Sequence, residues 1–155
     1  MSAATVAGRI VTSLLLLYVA ACASTPQASA ERDAEAKAFV THPNAATIYV
    51  YRSQFNHLDA DSTLYVDGRL IGSTRPGAYF RLDLVPGRHV LHGNGIDLGS
   101  FELDARPGQL YVVSVAVIAG HSHFELVPGP VAREQVRACC ALLESWAPGQ
   151  RPLLR

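Results

Sequence analysis

Residues 63–72 read Thr-Leu-Tyr-Val-Asp-Gly-Arg-Leu-Ile-Gly, two short apolar runs separated by the pair Asp67-Gly68. Asp-Gly readily supplies the positive φ angles that a two-residue hairpin turn requires. Four residues on either side are enough for a pair of short strands. The stretch therefore predicts a β-hairpin, and its composition is typical of an all-β domain.

The same pattern of short strands and Gly or Pro turns extends over residues 45–127. The alternation is clearest in residues 78–84, where Phe80, Leu82 and Leu84 share one face of the predicted strand. Residues 110–118 are apolar on both faces, which predicts a strand in the interior of a sheet. Further strands are predicted in residues 46–52, 88–92, 98–104 and 121–127, with a polar connection in residues 54–61.

The period of the apolar residues changes after Pro130, a residue suited to the first position of a helix. Apolar residues then recur at helical spacing, and Pro148-Gly149 is expected to end the helix. The residues of this predicted apolar stripe are Val131, Val136, Cys139 or Cys140, Leu143 and Trp146. The prediction is a mainly β fold, an immunoglobulin-like sandwich of about eight strands with a C-terminal amphipathic helix. This domain is placed at residues 45–147, followed by a tail of residues 148–155.

The N-terminal residues have the outline of a signal peptide. Arg9 is followed by an apolar run from Ile10, and Val19-Ala20-Ala21-Cys22 is similar to the bacterial lipobox. Residues 1–21 are therefore predicted to be removed and Cys22 to carry lipid. Two alternatives stay open: an uncleaved membrane anchor, or ordinary secretory cleavage with an incidental Cys22.

Residues 22–44 are predicted to be a flexible tether, because small and polar residues without alternation follow Cys22. The expected location is the bacterial cell envelope. Ala23, rather than Asp, follows the cysteine, which resembles the choice made by lipoproteins sent to the outer membrane, here facing the periplasm.

Length and composition exclude several classes of protein. A chain of 155 residues accommodates about one domain. Thirteen basic and thirteen acidic residues give no net charge, so binding to nucleic acid is not expected. Lys37 is the one lysine, and no phosphate-binding glycine loop is present in the sequence.

The order of these motifs resembles a family of bacterial lipoproteins described as domain of unknown function 2846. The resemblance covers residues 46 to about 143 and is carried by residues 46–52, 65–72, 77–80 and 86–89. The segment from Val66-Asp67-Gly68 to Pro86-Gly87-Arg88-His89 is also similar to PEGA-type surface modules, which are small immunoglobulin-like sandwiches. The resemblance implies an exported, lipid-anchored protein, and it supplies no catalytic residue.

Catalytic and metal-binding patterns are weak in this sequence. Gly120-His121-Ser122-His123 begins like a hydrolase elbow, but Phe124 stands where a small residue is needed, so an exposed strand serine is expected. His121 and His123 share one face of a strand and are the weak candidates for a metal site, which needs three or four ligands. His89 and His92 are expected on opposite faces. In a loop, Asp59 and Asp61 suit weak calcium binding or simple solvation.

Two features bear on binding and stability. Tyr49 and Tyr51 face away from Ile48 and Val50, which predicts a semi-exposed aromatic patch that serves either partner or glycan contact or an ordinary solvent-facing sheet. Cys139 and Cys140 are adjacent, a spacing that disfavours a disulfide, and one of them is expected on the helix stripe. The predicted function is a noncatalytic, lipid-anchored binding or structural module without a cofactor. The alternative is a metal-dependent or other cryptic envelope enzyme that uses His121 and His123.

Overall fold

The computed structural model describes residues 25–53, 62–93 and 99–144. The predicted signal peptide, Cys22, the connection 54–61 with Asp59 and Asp61, Trp146 and the tail 148–155 lie outside the described residues. Neither described helix is long and apolar enough to cross a bilayer. The described elements, in chain order, are α1 (Ala30–Ala36), β1 (Ala46–Arg52), β2 (Ser62–Val66), β3 (Arg69–Thr74), β4 (Ala78–Leu84), β5 (Gly87–His92), β6 (Phe101–Ala105), β7 (Leu110–Ile118), β8 (His121–Leu126), α2 (Gly129–Cys139) and β9 (Ala141–Leu142).

The strands form a β-sandwich of two sheets, as predicted. One sheet has the order β8-β7-β1-β4-β9 and the other the order β3-β2-β5-β6. The first sheet is mixed, because β1 pairs with β7 in parallel and β4 pairs with β9 in parallel. The predicted hairpin is confirmed: β2 and β3 pair antiparallel, and both Asp67 (φ 52°) and Gly68 (φ 71°) have positive φ.

The core between the two sheets is formed by the apolar faces that the alternation predicts. Ile48, Val50, Phe80, Leu82 and Leu84 from the five-stranded sheet are all at most 2% exposed. They pack against the inward side chains of the other sheet, Leu64, Val66, Ile71, Leu91 and Leu103. Strand β7 lies in the interior of its sheet, between β8 and β1, as its two apolar faces predict.

The C-terminal helix is confirmed, but it is shorter than the sequence pattern suggests. Helix α2 ends at Cys139, Cys140 is already extended, and the chain continues as β9 along β4. Ala132 and Val136 are its buried residues, whereas Val131 is 52% exposed. The extrapolation to Leu143 and Trp146 was wrong at Leu143. The Ala141 and Leu143 N–H groups instead donate to the carbonyls of Gly77, just before β4, and Tyr79 in β4, and a continued helix would lack these hydrogen bonds.

The prediction of a flexible tether in residues 22–44 was wrong for the described part, residues 25–44. Residues 25–28, here called the N-terminal clasp, bind both sheets, and α1 and Phe39 pack on the five-stranded sheet. Ser29 caps α1 by accepting a hydrogen bond from the Arg32 backbone. Three features of this polar segment favour a helix. They are the Ser29 cap, the acidic side chains of Glu31 and Asp33 in the first turn, and an alanine at each end of the helix.

The N-terminal clasp joins the open edges of the two sheets. Ala28 donates its N–H to the Leu142 carbonyl and Glu144 donates to the Pro26 carbonyl, each at 2.9 Å, beside β9. On the other sheet, the Ser73 N–H donates to Thr25 Oγ1 at 2.7 Å. Gly72 permits this close approach, because a Cβ there would lie 3.0 Å from Thr25 Oγ1 and 2.8 Å from Phe80 Cζ.

Candidate functional site

The outer face of the five-stranded sheet carries the two tyrosines that were expected to form an aromatic patch. Tyr49 and Tyr51 do point away from Ile48 and Val50, but they are 0% and 2% exposed. The prediction of a semi-exposed patch was therefore wrong. The physical reason is that α1, Phe39 and α2 cover this face and form a second apolar core.

Hydrogen bonds and ring contacts hold the tyrosines under this cover. Tyr49 Oη donates to the Ala36 carbonyl at the end of α1, and Tyr51 Oη donates to the Gln135 side chain of α2. The Tyr49 ring lies 4.8 Å from the ring of Phe39 and 5.7 Å from that of Tyr79, measured between centroids. These contacts use both the apolar ring and the polar hydroxyl for packing.

Asp33 of α1 places a charged carboxylate on this covered face. Its carboxylate accepts hydrogen bonds from the Leu142 N–H at 2.8 Å, from Lys37 Nζ at 2.8 Å and from Tyr79 Oη at 3.0 Å. Burial by itself raises the pKa of Asp33, but the hydrogen bonds from Lys37, Leu142 and Tyr79 outweigh it and hold the pKa below its ordinary value. Asp33 therefore ties α1 to β9 and β4 as an anion.

Packing also shifts the pKa values of the tyrosines on this face. Burial raises the pKa of Tyr49, Tyr51 and Tyr79, and the hydrogen bond to anionic Asp33 raises the pKa of Tyr79 further. Each phenol stays protonated at neutral pH and acts as a hydrogen-bond donor. Perturbed groups can mark a catalytic site, but contacts within the fold account for these four.

A different part of the molecule, the edge of β4 beyond Tyr79, has no neighbouring strand among the described residues. Strand β9 pairs with β4 only at Ala78 and Tyr79, and the last hydrogen bond of this ladder joins the Leu143 N–H to the Tyr79 carbonyl at 2.8 Å. Backbone groups alternate sides along a strand, so those of Arg81 and Asp83 point to the same side as the Tyr79 carbonyl, away from β1. We call residues 80–84 on this side the β4 edge.

A cleft of about 730 Å³ runs beside the β4 edge, and we call it the edge cleft. Apolar side chains of Phe80 and Leu82 lie on one side of the edge, and Arg81 and Asp83 lie on the other. Residues of α1 and β9, and of the chain that follows each of them, form the remaining walls. These walls are Arg32, Glu35, Ala36, Ala38, Val40, His42, Leu142, Leu143 and Glu144.

Four of the charged side chains around the edge cleft are paired with one another, whereas Glu35 is exposed to solvent. Arg32 forms an ion pair with Glu144 across one end. Arg81 pairs with Asp83 at 3.3 Å, and its guanidinium also donates to the Val40 carbonyl at 3.4 Å. With these four side chains paired in this way, the backbone of the β4 edge is a hydrogen-bonding surface available to a ligand, and Glu35 adds one carboxylate to the cleft.

The candidate histidines do not meet in a metal site within the described chain. His121 and His123 lie on β8, opposite Ile118 and Ala116 of β7, and both are exposed. Among the described residues, no group of three or more His, Cys, Asp and Glu side chains is close enough to hold a metal ion. Ser122 between them was expected to be exposed, but it is 2% exposed and its Oγ lies 3.0 Å from Ser62 Oγ.

The other two histidines considered in the sequence analysis, His89 and His92, make contacts inside and beside the four-stranded sheet. His89 is 5% exposed; its Nδ1 lies 2.6 Å from Asp67 Oδ2 and its Nε2 lies 2.7 Å from the Val85 carbonyl. His92 stacks on the Tyr65 ring at 4.9 Å. Asp67 also accepts a hydrogen bond from the Val90 N–H, so it fastens the β2–β3 turn to β5.

Cys139 and Cys140 are joined by a disulfide, which contradicts the prediction that adjacent cysteines stay unpaired. The bond lies where α2 ends and the extended chain toward β9 begins. The two cysteines do differ in environment, since Cys140 is 5% exposed and Cys139 is only partly buried. The expectation that the buried one lies on the helix stripe was wrong, because Cys140 follows the end of α2.

Comparison with known proteins places the chain in a family. Residues 42–129, more than half of the chain, match the family described as Protein of unknown function (DUF2846). The chain belongs to this family. It is also 32% identical over 76 residues to an uncharacterized protein of Haemophilus influenzae, a match that covers 48% of this chain and 45% of that protein. The chain thus spans about half the length of this relative. No solved structure matches the chain.

The DUF2846 match locates the parts of the molecule described above. It includes the whole β4 edge and the bond between Asp67 and His89, which joins the two halves of the Val-Asp-Gly to Pro-Gly-x-His segment. The N-terminal clasp, α1 and most of α2 lie outside residues 42–129. Sequence reasoning missed the edge cleft, because the wall built by residues 32–42 was assigned to a tether.

Proposed function

We propose that this DUF2846 protein is a lipid-anchored, noncatalytic module of the bacterial cell envelope that binds an extended polypeptide segment at the β4 edge. The anchor rests on the sequence: Arg9, the apolar run and Val19-Ala20-Ala21-Cys22 together are typical of bacterial lipoproteins. The proposed binding site is inferred from the geometry of the edge cleft. An anchored module of this kind holds its partner close to the membrane.

The single observation that carries the binding proposal is the early end of β9. Beyond Tyr79, the N–H and C=O groups of Arg81 and Asp83 point into the edge cleft without a neighbouring strand in the described chain. Proteins commonly recognise extended peptides by adding them as a further strand to such an edge. A ligand of this class gains main-chain hydrogen bonds from both residues.

The side chains along the β4 edge indicate which extended segments fit. Phe80 and Leu82 lie on the inner side of the edge, and Arg81 and Asp83 on the outer side, where they are partly exposed. An added strand presents alternate side chains to these two sides. The favoured ligand therefore alternates apolar and polar residues.

The edge can be tested with a substitution that removes one N–H and keeps the strand. The Asp83 N–H points away from β1, so proline is compatible with the sheet, as it is on other edge strands. Asp83→Pro should weaken binding of peptides selected from a random displayed library by about tenfold or more, since hydrogen bonds of about 1 kcal/mol are lost together with steric access.

The matched control is Asp83→Ala, which loses the same carboxylate and its hydrogen bond from Thr47 but keeps the N–H. It should bind the selected peptides almost as well as the unsubstituted protein. Equal affinity of the proline and alanine variants, or a library that yields no binder, would contradict the proposal.

The anchor is tested separately by metabolic labelling with palmitate. The unsubstituted chain should be labelled, and the mature mass should lack residues 1–21. Cys22→Ser should abolish labelling, because a hydroxyl does not take the thioether-linked lipid. Labelling that persists in Cys22→Ser, or a mature chain that retains residues 1–21, would refute the anchor.

A further inference from the structure

The distance between the proposed lipid and the folded domain is very short. Only Ala23 and Ser24 separate Cys22 from Thr25, which is 4% exposed and accepts the hydrogen bond from Ser73. Three Cα–Cα steps of 3.8 Å span about 11 Å at most. A domain of this size has a radius of gyration of about 13 Å, so such a spacer does not let it turn freely.

We propose that the clasp side of the sandwich, formed by Thr25, Ser73 and Arg75, lies directly against the lipid headgroups. This inference rests on the proposed lipidation of Cys22. A short connection to one point of the surface leaves that side facing the bilayer, whereas a tether of residues 22–44 would allow any orientation. The occupant of this surface is therefore the membrane that holds the anchor.

Charged groups beside the clasp suit this position. Arg75 donates to the Gln27 side chain at 3.2 Å, and Arg32, 60% exposed, pairs with Glu144. The Arg75 guanidinium therefore lies beside residues 25–28, and arginine binds phosphate oxygens with several donors in a fixed plane. Near an anionic membrane surface Arg75 contributes attraction, whereas the pairing with Glu144 offsets the charge of Arg32.

The same geometry places the edge cleft near the bilayer. Arg32 and Glu144 line the cleft, and the Glu144 N–H is bonded to Pro26 of the clasp. A segment bound along the β4 edge would accordingly lie close to the headgroups. Juxtamembrane segments of other envelope proteins are the ligand source that fits this arrangement.

Tryptophan quenching in vesicles tests the orientation of the full, lipidated chain. The protein carries Trp146→Phe and one new tryptophan, and the vesicles contain phosphatidylethanolamine, phosphatidylglycerol and a headgroup-spin-labelled phosphatidylcholine. Arg75→Trp reports the clasp side. Glu102→Trp on β6 is the control, because β6 and β3 are opposite edges of the four-stranded sheet, three strand spacings or about 14 Å apart.

We expect the spin label to quench Arg75→Trp severalfold more strongly than Glu102→Trp. Inserting about 20 Gly and Ser residues after Ser24, with a root-mean-square span of about 25 Å, should remove most of this difference. The mass of each mature chain is measured in the same samples. Equal quenching at both positions in an acylated chain would overturn the orientation and leave the lipid anchor intact, whereas a chain without acyl groups on Cys22 would overturn both.

Discussion

Asp33 shows how one residue joins elements from both ends of the chain. It lies on α1, and its carboxylate binds the backbone of Leu142 in β9 and the phenol of Tyr79 in β4. Hydrogen bonds to a charged group contribute about 1.5–3 kcal/mol each. Lys37, four residues on, is a local partner of Asp33. No local sequence pattern identifies the contacts with Leu142 and Tyr79, because both residues are distant in the chain.

We expect Asp33→Asn to reduce the free energy of unfolding by about 1–2 kcal/mol at pH 7, because the amide keeps one acceptor and loses the charge. The folded pKa lies below the ordinary value of 3.8, so the contribution of the carboxylate is present above that value and is lost as the pH falls through the folded pKa. Urea denaturation at pH 7 and at about pH 3 should show the gap between the two proteins closing in acid. Glu35→Asn, exposed on the same helix, is the control, and a gap that widens in acid would contradict this role.

Tyr49 gives a second prediction at this scale. Because the side chain is fully buried on the outer face of β1, against Phe39 and Tyr79, Tyr49→Ser should lower the free energy of unfolding by about 3–5 kcal/mol, as large aromatic deletions do. Tyr49→Phe should cost only about 1 kcal/mol, the hydrogen bond to Ala36. The measurement is thermal or urea unfolding, with Tyr65→Ser on a partly exposed site as control. A Tyr49→Ser protein as stable as the control would mean that α1 does not cover this face.

At the scale of elements, periodicity predicted the strands and their inward faces, because alternation depends only on neighbouring residues. It identified Ile48, Val50, Phe80 and Leu82 as core residues, and all are buried. The same alternation correctly predicted that the Tyr49 side chain points to the opposite face of the sheet. What covers that outward face is decided by packing of distant segments, which a strand's own sequence does not encode.

Strand β9 also shows that packing of distant segments decides what a local sequence pattern does not. Ala141-Leu142 continues a helical apolar pattern, but the extended conformation is selected by partners on both sides, β4 and the N-terminal clasp. The helix predicted from the sequence therefore extended too far toward the C-terminus. In the described chain the β4 edge is unpaired beyond Tyr79 because β9 is short. The candidate binding site could therefore not be predicted before the end of α2 was known.

The N-terminal clasp should contribute measurably to stability. A chain beginning at Ser29 should be about 3 kcal/mol less stable than one beginning at Thr25, since three main-chain or hydroxyl hydrogen bonds of about 1 kcal/mol are removed. Thr25→Val keeps the shape and should cost about 1–3 kcal/mol by leaving the Ser73 N–H unsatisfied. Urea denaturation of these soluble forms checks both values. Equal stability of the two truncated chains would show that residues 25–28 act only as a spacer.

For the whole molecule, sequence and structure supply different halves of the functional proposal. The proposed membrane location is inferred from Val19-Ala20-Ala21-Cys22, which lies outside the described residues. The edge cleft and the packing of Thr25 are seen only in three dimensions. Together they support our proposal of a module that binds extended segments at the membrane surface, whereas sequence alone suggested a loosely tethered domain with a semi-exposed tyrosine patch.

The pairing of residues 25–28 with residues 142–144 also constrains the order in which the protein folds. Contacts such as Arg32 with Glu144, 112 residues apart, require closure of a very long loop and contribute little until the intervening sandwich exists. In the lipid-anchored protein that we propose, residues 25–28 would thus be among the last to reach their final place, although they precede the sandwich in the chain. Signal cleavage and lipidation at Cys22 would then precede the pairing of residues 25–28 with the C-terminal strand, and that pairing would hold the finished domain beside its lipid.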